Sequence, residues 1–126
     1  MHELGIAQGI LDRAREVARE NGAVRVTGLH VAMTPAADFT EDALAMYFEM
    51  LTGDDGFFQG VEIHFERQAS AARCLECGLA FSTEIRHGRC PRCSSLSVAF
   101  DPGTPMVQLT HIDIEDGQAG RGGGGA

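Results

Sequence analysis

Apolar residues recur every three or four positions near the start of the chain, at Ile6, Ile10, Leu11, Ala14, Val17 and Ala18, while Asp12, Arg13, Arg15, Glu16 and Arg19 fill the positions between them. That spacing predicts an amphipathic helix from about Leu4 to Glu20, with Asn21-Gly22 as a left-handed C-terminal stop. Ala23 to Met33 (AVRVTGLHVAM) is rich in β-branched residues with partial alternation and predicts a strand that Thr34-Pro35 ends. Thr40 is suited to N-cap a second helix, with Glu41 and Asp42 in its first turn. Leu44, Tyr47, Phe48 and Leu51 form its i, i+3, i+4, i+7 stripe, and Thr52-Gly53 stops it. Val61-Glu62-Ile63-His64-Phe65-Glu66 alternates strictly, as a strand with one buried face does, and Met106 to Ile114 (MVQLTHIDI) reads as another strand.

Between those last two strands the apolar periodicity fades and cysteines take over. Cys74-Leu75-Glu76-Cys77 and Cys90-Pro91-Arg92-Cys93 form two C-x2-C pairs separated by 12 residues, the spacing at which two short knuckles meet on one tetrahedral zinc. Gly78 follows the first pair, where freedom to take positive φ lets backbone N–H groups turn toward the sulfurs. Ser94 stands at the matching place after the second. Four thiolates saturate zinc, so such a site is structural rather than catalytic; a redox dithiol pair is the alternative reading. A stretch of about 30 residues with few large apolar groups needs the metal to fold.

Composition narrows the function. The chain has 126 residues, room for one ordinary domain or a small domain with a metal-held one attached. Its 10 basic and 18 acidic residues give a formal charge of -8, which repels nucleic-acid phosphates and anionic lipid. No basic and apolar leader precedes the first helix, and no apolar run approaches the roughly 18 residues of a membrane span. A cytoplasmic protein is expected, where thiols stay reduced and paired cysteines favour metal over disulfides.

The start of the chain, Met1-His2-Glu3, carries a second constellation. Processing aminopeptidases generally spare methionine before a bulky neighbour, so Met1 is expected to persist with a free α-amine. That amine, the His2 imidazole and the amides of His2 and Glu3 are nitrogen donors of the type that suits tetragonal Ni(II) or Cu(II). The first N–H groups of a helix have no intrahelical acceptor, so giving one to a metal breaks no helix bond. The other reading is a frayed, solvated terminus, since any chain starting Met-His offers the same atoms.

With these residues in view, the chain resembles the HypA/HybF family of nickel incorporation proteins in [NiFe]-hydrogenase maturation. The resemblance rests on the opening Met1-His2-Glu3-Leu4, the Gln8-Gly9-Ile10-Leu11 step in the first helix, the Gln59-Gly60-Val61-Glu62-Ile63 start of a strand, and the Cys74 to Cys93 motif. It implies that Met1, His2 and Glu3 bind Ni2+ as cargo. It also implies that Cys74, Cys77, Cys90 and Cys93 hold a structural Zn2+. The partners implied are a maturation GTPase and the hydrogenase large-subunit precursor. The chain departs from the family pattern at Met33 to Phe39 and at Gly103 to Met106, two stretches that bear on docking rather than on a ligand.

The expected fold is α/β of the α+β kind: two helices on a three-stranded sheet, with an inserted four-cysteine, zinc-ribbon-like domain. The helix-sheet domain is residues 1–70 and 104–117, the zinc domain residues 71–103, and residues 118–126 a disordered glycine-rich tail. The expected function is nickel delivery by a metallochaperone that is not an enzyme, with no nucleic-acid or membrane partner. The alternative is a zinc-ribbon adaptor joining proteins without cargo metal. Of the remaining histidines, His87 is placed to stand in for a cysteine ligand or to lie exposed in its loop. His64 falls on the polar side of its strand, and His30 and His111 lie in strands with unassigned faces. A second metal site across strands is the minor reading of these histidines.

Overall fold

The structure, a computed structural model, describes residues 2–86 and 88–117, with the backbone alone at His2. Met1, the His2 side chain, His87 and the glycine-rich segment 118–126 lie outside the described residues. Two helices, α1 (His2–Glu20) and α2 (Glu41–Thr52), accompany six strands: β1 (Ala23–Met33), β2 (Glu62–Arg67), β3 (Ser70–Cys74), β4 (Ala80–Thr83), β5 (Val98–Phe100) and β6 (Val107–Asp116). One three-stranded sheet has the order β2-β1-β6 and the other the order β4-β3-β5. The expected architecture is therefore present, with the four-cysteine segment running between β2 and β6 of one sheet. No helix among the described residues is long and apolar enough to cross a membrane.

Contacts divide the chain into two compact units. The first comprises Met1–Val31, Phe39–Phe65 and Leu109–Ala126. In α1 the buried side chains are Ala7, Ile10, Leu11, Ala14 and Ala18, one stripe at helical spacing, and α2 buries Leu44 and Phe48. The Thr40 hydroxyl caps α2 by accepting the Ala43 N–H at 3.1 Å. Val26, Leu29 and Val31 of β1 complete this core, together with Phe58.

Strict alternation fails inside β1. Arg25 pairs with Glu115 of β6 at 2.7 Å and His30 with Asp113 at 2.8 Å. Residues 25 and 30 of a regular strand would face opposite ways, whereas 113 and 115 face the same way. The phase of β1 therefore slips by one residue between them, as at a bulge.

Arg15 ties α1 to the loop after α2. Its guanidinium meets the Asp55 carboxylate at 2.5 Å and lies over the Phe57 and Phe58 rings at 5.4 and 5.0 Å. The Arg15 hydrogen bond holds the Asp55 carboxyl below its ordinary value of 3.8, against a smaller opposing effect of burial. Asp55→Asn is expected to cost about 1 kcal/mol at neutral pH. Because the folded-state pKa is depressed, this stabilisation is present above the unfolded carboxylate pKa and is lost as pH falls through the folded value. Urea unfolding at descending pH checks this, the gap between variant and parent closing below about pH 4.

The second unit is Ala32–Asp38 with Glu66–Gln108, wider than residues 71–103 alone. Its width has a physical basis in hydrogen bonds to the segment after β1. Gln68 N–H donates to the Met33 carbonyl at 2.9 Å, and Arg86 Nη1 reaches the carbonyls of Pro35, Ala36 and Ala37. Thr34 donates its N–H to the Met106 carbonyl and its hydroxyl to the Pro105 carbonyl. The stretches 33–39 and 103–106 thus bond directly to each other. Within the second sheet β3 is central and antiparallel to both neighbours, with Arg73 opposite Ala80 on β4 and Cys74 opposite Val98 on β5.

Candidate metal centre

β3 delivers Cys74 into the second unit as the last residue of a strand whose burial alternates, with Ser70, Ala72 and Cys74 inward. From there the chain makes a tight knuckle. Cys74 N–H donates to the Leu79 carbonyl at 2.9 Å and Gly78 N–H returns to the Cys74 carbonyl at 2.9 Å. The second pair repeats the construction residue for residue: Cys90 N–H donates to the Ser95 carbonyl at 2.9 Å and Ser94 N–H to the Cys90 carbonyl at 2.9 Å. Gly78 takes φ 81°, as its place after the first pair leads one to expect.

Ser94 adopts the same left-handed turn, with φ 64°, and is the one non-glycine residue there among those described. Ser94→Gly is expected to relieve that strain and stabilise the metal-loaded unit by about 0.5–1 kcal/mol. Thermal unfolding with metal in place measures it.

An arginine stands before each pair. Arg73 Nη1 donates to the Gly78 carbonyl and Arg89 Nη1 to the Ser94 carbonyl, each at 3.1 Å, so each knuckle is closed by a guanidinium. The cysteine spacing says nothing of this role. The matching R-C-x2-C of both halves is the sequence signal that could have found it.

The four sulfurs come together as expected, all within 4.8 Å of one another. Cys74 Sγ lies 3.6 Å from Cys93 Sγ, and Cys77 Sγ 3.6 Å from Cys90 Sγ. A tetrahedral tetrathiolate with metal–sulfur bonds of about 2.3 Å has sulfur–sulfur edges of about 3.8 Å. The donor set therefore fits a four-coordinate metal ion.

Backbone N–H groups aim at the sulfurs. Those of Glu76 and Cys77 lie 3.4 Å from Cys74 Sγ, and that of Arg92 lies 3.4 Å from Cys90 Sγ. The Leu79 N–H draws the Cys77 thiol down to about 6, with help from the Arg92 guanidinium. Cys93 goes the other way, up to about 12: the Ser95 N–H favours its thiolate, but burial and the three neighbouring sulfurs outweigh it. Four thiolates so close cannot all carry charge unaided, and a dication resolves the conflict.

Of the proposed nickel residues, the structure describes Glu3 in the first turn of α1 and the backbone of His2, where that helix begins. The three described strand histidines, His30, His64 and His111, converge on one patch of the β2-β1-β6 sheet, with ring centroids 4.7 Å apart for His30–His64 and 4.9 Å for His30–His111. His64 is thus solvated on one side only. Asp113, which sequence reading did not single out, lies between His30 and His111.

Residues 1–114 match the family model described as hydrogenase/urease nickel incorporation, metallochaperone, HypA. Among curated relatives, the hydrogenase maturation factor HypA of Chlorobium limicola is 32% identical over 118 residues, covering 93% of this chain and 99% of that protein. Its counterpart in Chlorobium luteolum is 29% identical, covering 94% of this chain and all of that protein. In fold the chain is similar to the solution structure of the Ni metallochaperone HypA from Helicobacter pylori. The TM-score is 0.63 at 16% identity, over 90% of this chain and 97% of that one.

Proposed function

The chain belongs to the HypA family of hydrogenase maturation factors, and from that membership we propose that it binds Ni(II) at Met1, His2 and Glu3 and delivers it to the precursor of a [NiFe]-hydrogenase large subunit. The observation that carries this reading is the extent of the family match, which runs from residue 1 through all four cysteines. The family is one of metal-incorporation proteins rather than enzymes, so the work is ligand exchange, with no bond made or broken in a substrate.

Support comes also from the start of α1 at His2. The amides of the first turn have no acceptor inside the helix, and amine, imidazole and amide nitrogens within one short stretch suit tetragonal Ni(II). A partner's ligands then displace them. We assign to Cys74, Cys77, Cys90 and Cys93 one structural zinc, for which the closed tetrathiolate geometry argues. The partners of this reading are a maturation GTPase and the large-subunit precursor, and its compartment is the cytoplasm, whose reducing poise keeps four such thiols available for metal. Nickel titration of the zinc-loaded chain separates this function from that of an adaptor: a delivery protein takes up one tight equivalent of nickel that His2→Ala removes, and an adaptor takes up none that depends on His2.

A further inference from the structure

Each strand of the β2-β1-β6 sheet contributes one histidine to a single patch: His64 from β2, His30 from β1 and His111 from β6. The His30 and His64 rings stack with 17° between their planes. Asp113 joins them, its Oδ2 2.8 Å from His30 Nε2 and its Oδ1 3.2 Å from His111 Nε2. The donor atoms of His30, His64 and Asp113 all lie within 4.8 Å of one another. Two imidazoles and a carboxylate suit a borderline divalent ion, and ligands at about 2.1 Å around one ion sit roughly 3.0–3.4 Å apart. The His30–Asp113 pair is already near that separation, and a rotamer adjustment of half-exposed His64 supplies the rest.

A second observation shows that room is kept for the carboxylate. Gly28 lies on central strand β1, where glycine weakens a strand, and a Cβ built on it would collide with the Asp113 carboxylate. We propose that His30, His64 and Asp113 form a binding site for a divalent transition ion of the nickel and zinc class, separate from the four thiols and from the chain start, with His111 steadying the carboxylate. The donors are partly exposed, and the set leaves positions for water, so the site binds more weakly than the thiolate site and without its closed shell.

The test uses the full chain without a histidine tag, zinc-loaded at the cysteines and carrying two extra residues before Met1 to disable the start. Calorimetric titration with Ni(II) should show one equivalent bound, and Asp113→Asn and His30→Ala should each weaken it at least tenfold. Circular dichroism confirms that the variants are folded, and Asp113→Asn, which keeps the side-chain shape, serves if His30→Ala is not. Substituting Co(II) should broaden the imidazole proton resonances of His30, His64 and His111 before any others. No uptake by the extended chain, uptake indifferent to Asp113→Asn, or broadening centred elsewhere would each overturn the proposal.

Discussion

Replacement of Cys90 by alanine is expected to abolish binding of the proposed zinc and to unfold β3, β4 and β5, while α1, α2 and the β2-β1-β6 sheet persist. The magnitude follows from how little else holds the second unit. Its buried apolar residues are Ala32, Met33, Ala37 and Ala72 beside the thiols of Cys74 and Cys90, whereas Leu75, Ile85 and Leu96 are all more than 60% exposed. A structural zinc contributes on the order of 10–16 kcal/mol of apparent binding free energy in small zinc-dependent folds. That is comparable with the whole stability of an ordinary domain, roughly 5–15 kcal/mol. Losing one thiolate opens the coordination shell and leaves Cys74, Cys77 and Cys93 without the charge that reconciles them. Elemental analysis should fall from one zinc per chain to none, and the three remaining thiols should become alkylatable under native conditions. A variant that kept one tightly bound zinc and showed no newly reactive thiol would refute the four-thiolate assignment.

The helices and long strands were legible because burial there follows hydrophobicity. Ala23 to Met33 forms β1 at the bounds its composition implies, and α2 begins at the Thr40 cap and ends at Thr52. The second sheet was not legible. Ser70-Ala71-Ala72-Arg73-Cys74 alternates in burial without alternating in hydrophobicity, and β5 is three residues long. β3 and β4 form a hairpin around the first cysteine knuckle, and β5 joins β3 from more than 20 residues away, a pairing that no local periodicity records. Helix α1 starts at His2 rather than near Leu4, because the apolar stripe that fixes the middle of the helix says nothing of its solvated first turn.

The cysteine spacing announced the metal centre itself, whereas the support from Arg73 and Arg89 depends on the folded turns that bring the Gly78 and Ser94 carbonyls within their reach. The histidine patch depends on strand order and on the phase slip in β1, neither of which can be read from spacing. Asp113 stands two residues from His111 in the sequence, but His30 and His64 reach it only through the sheet.

The second large effect concerns nickel. His2→Ala is expected to remove tight nickel binding while leaving zinc content and helical signal unchanged, since the substitution takes away the proposed imidazole ligand and leaves the four cysteines and the helix-forming residues in place. Both the amine and the imidazole must shed a proton to bind, with reference pKa values of about 7.7–8.0 and about 6.5. Protons therefore compete with the metal, and nickel affinity should fall steadily as pH drops from neutral toward about 6. An acidic shift favours release. The sheet site loses nothing in His2→Ala, so weak residual uptake that vanishes in Asp113→Asn is compatible with this account.

The central claim is that nickel is held by the chain's first residues, and adding two residues before Met1 tests it most directly, because the extension moves the α-amine away from His2 without altering any side chain. Calorimetric titration of Ni(II) into the zinc-loaded native and extended chains at neutral pH should show one tight equivalent in the native protein that is absent from the extended one. An extended chain that bound nickel as tightly as the native chain would contradict the account and move the cargo site elsewhere in the protein.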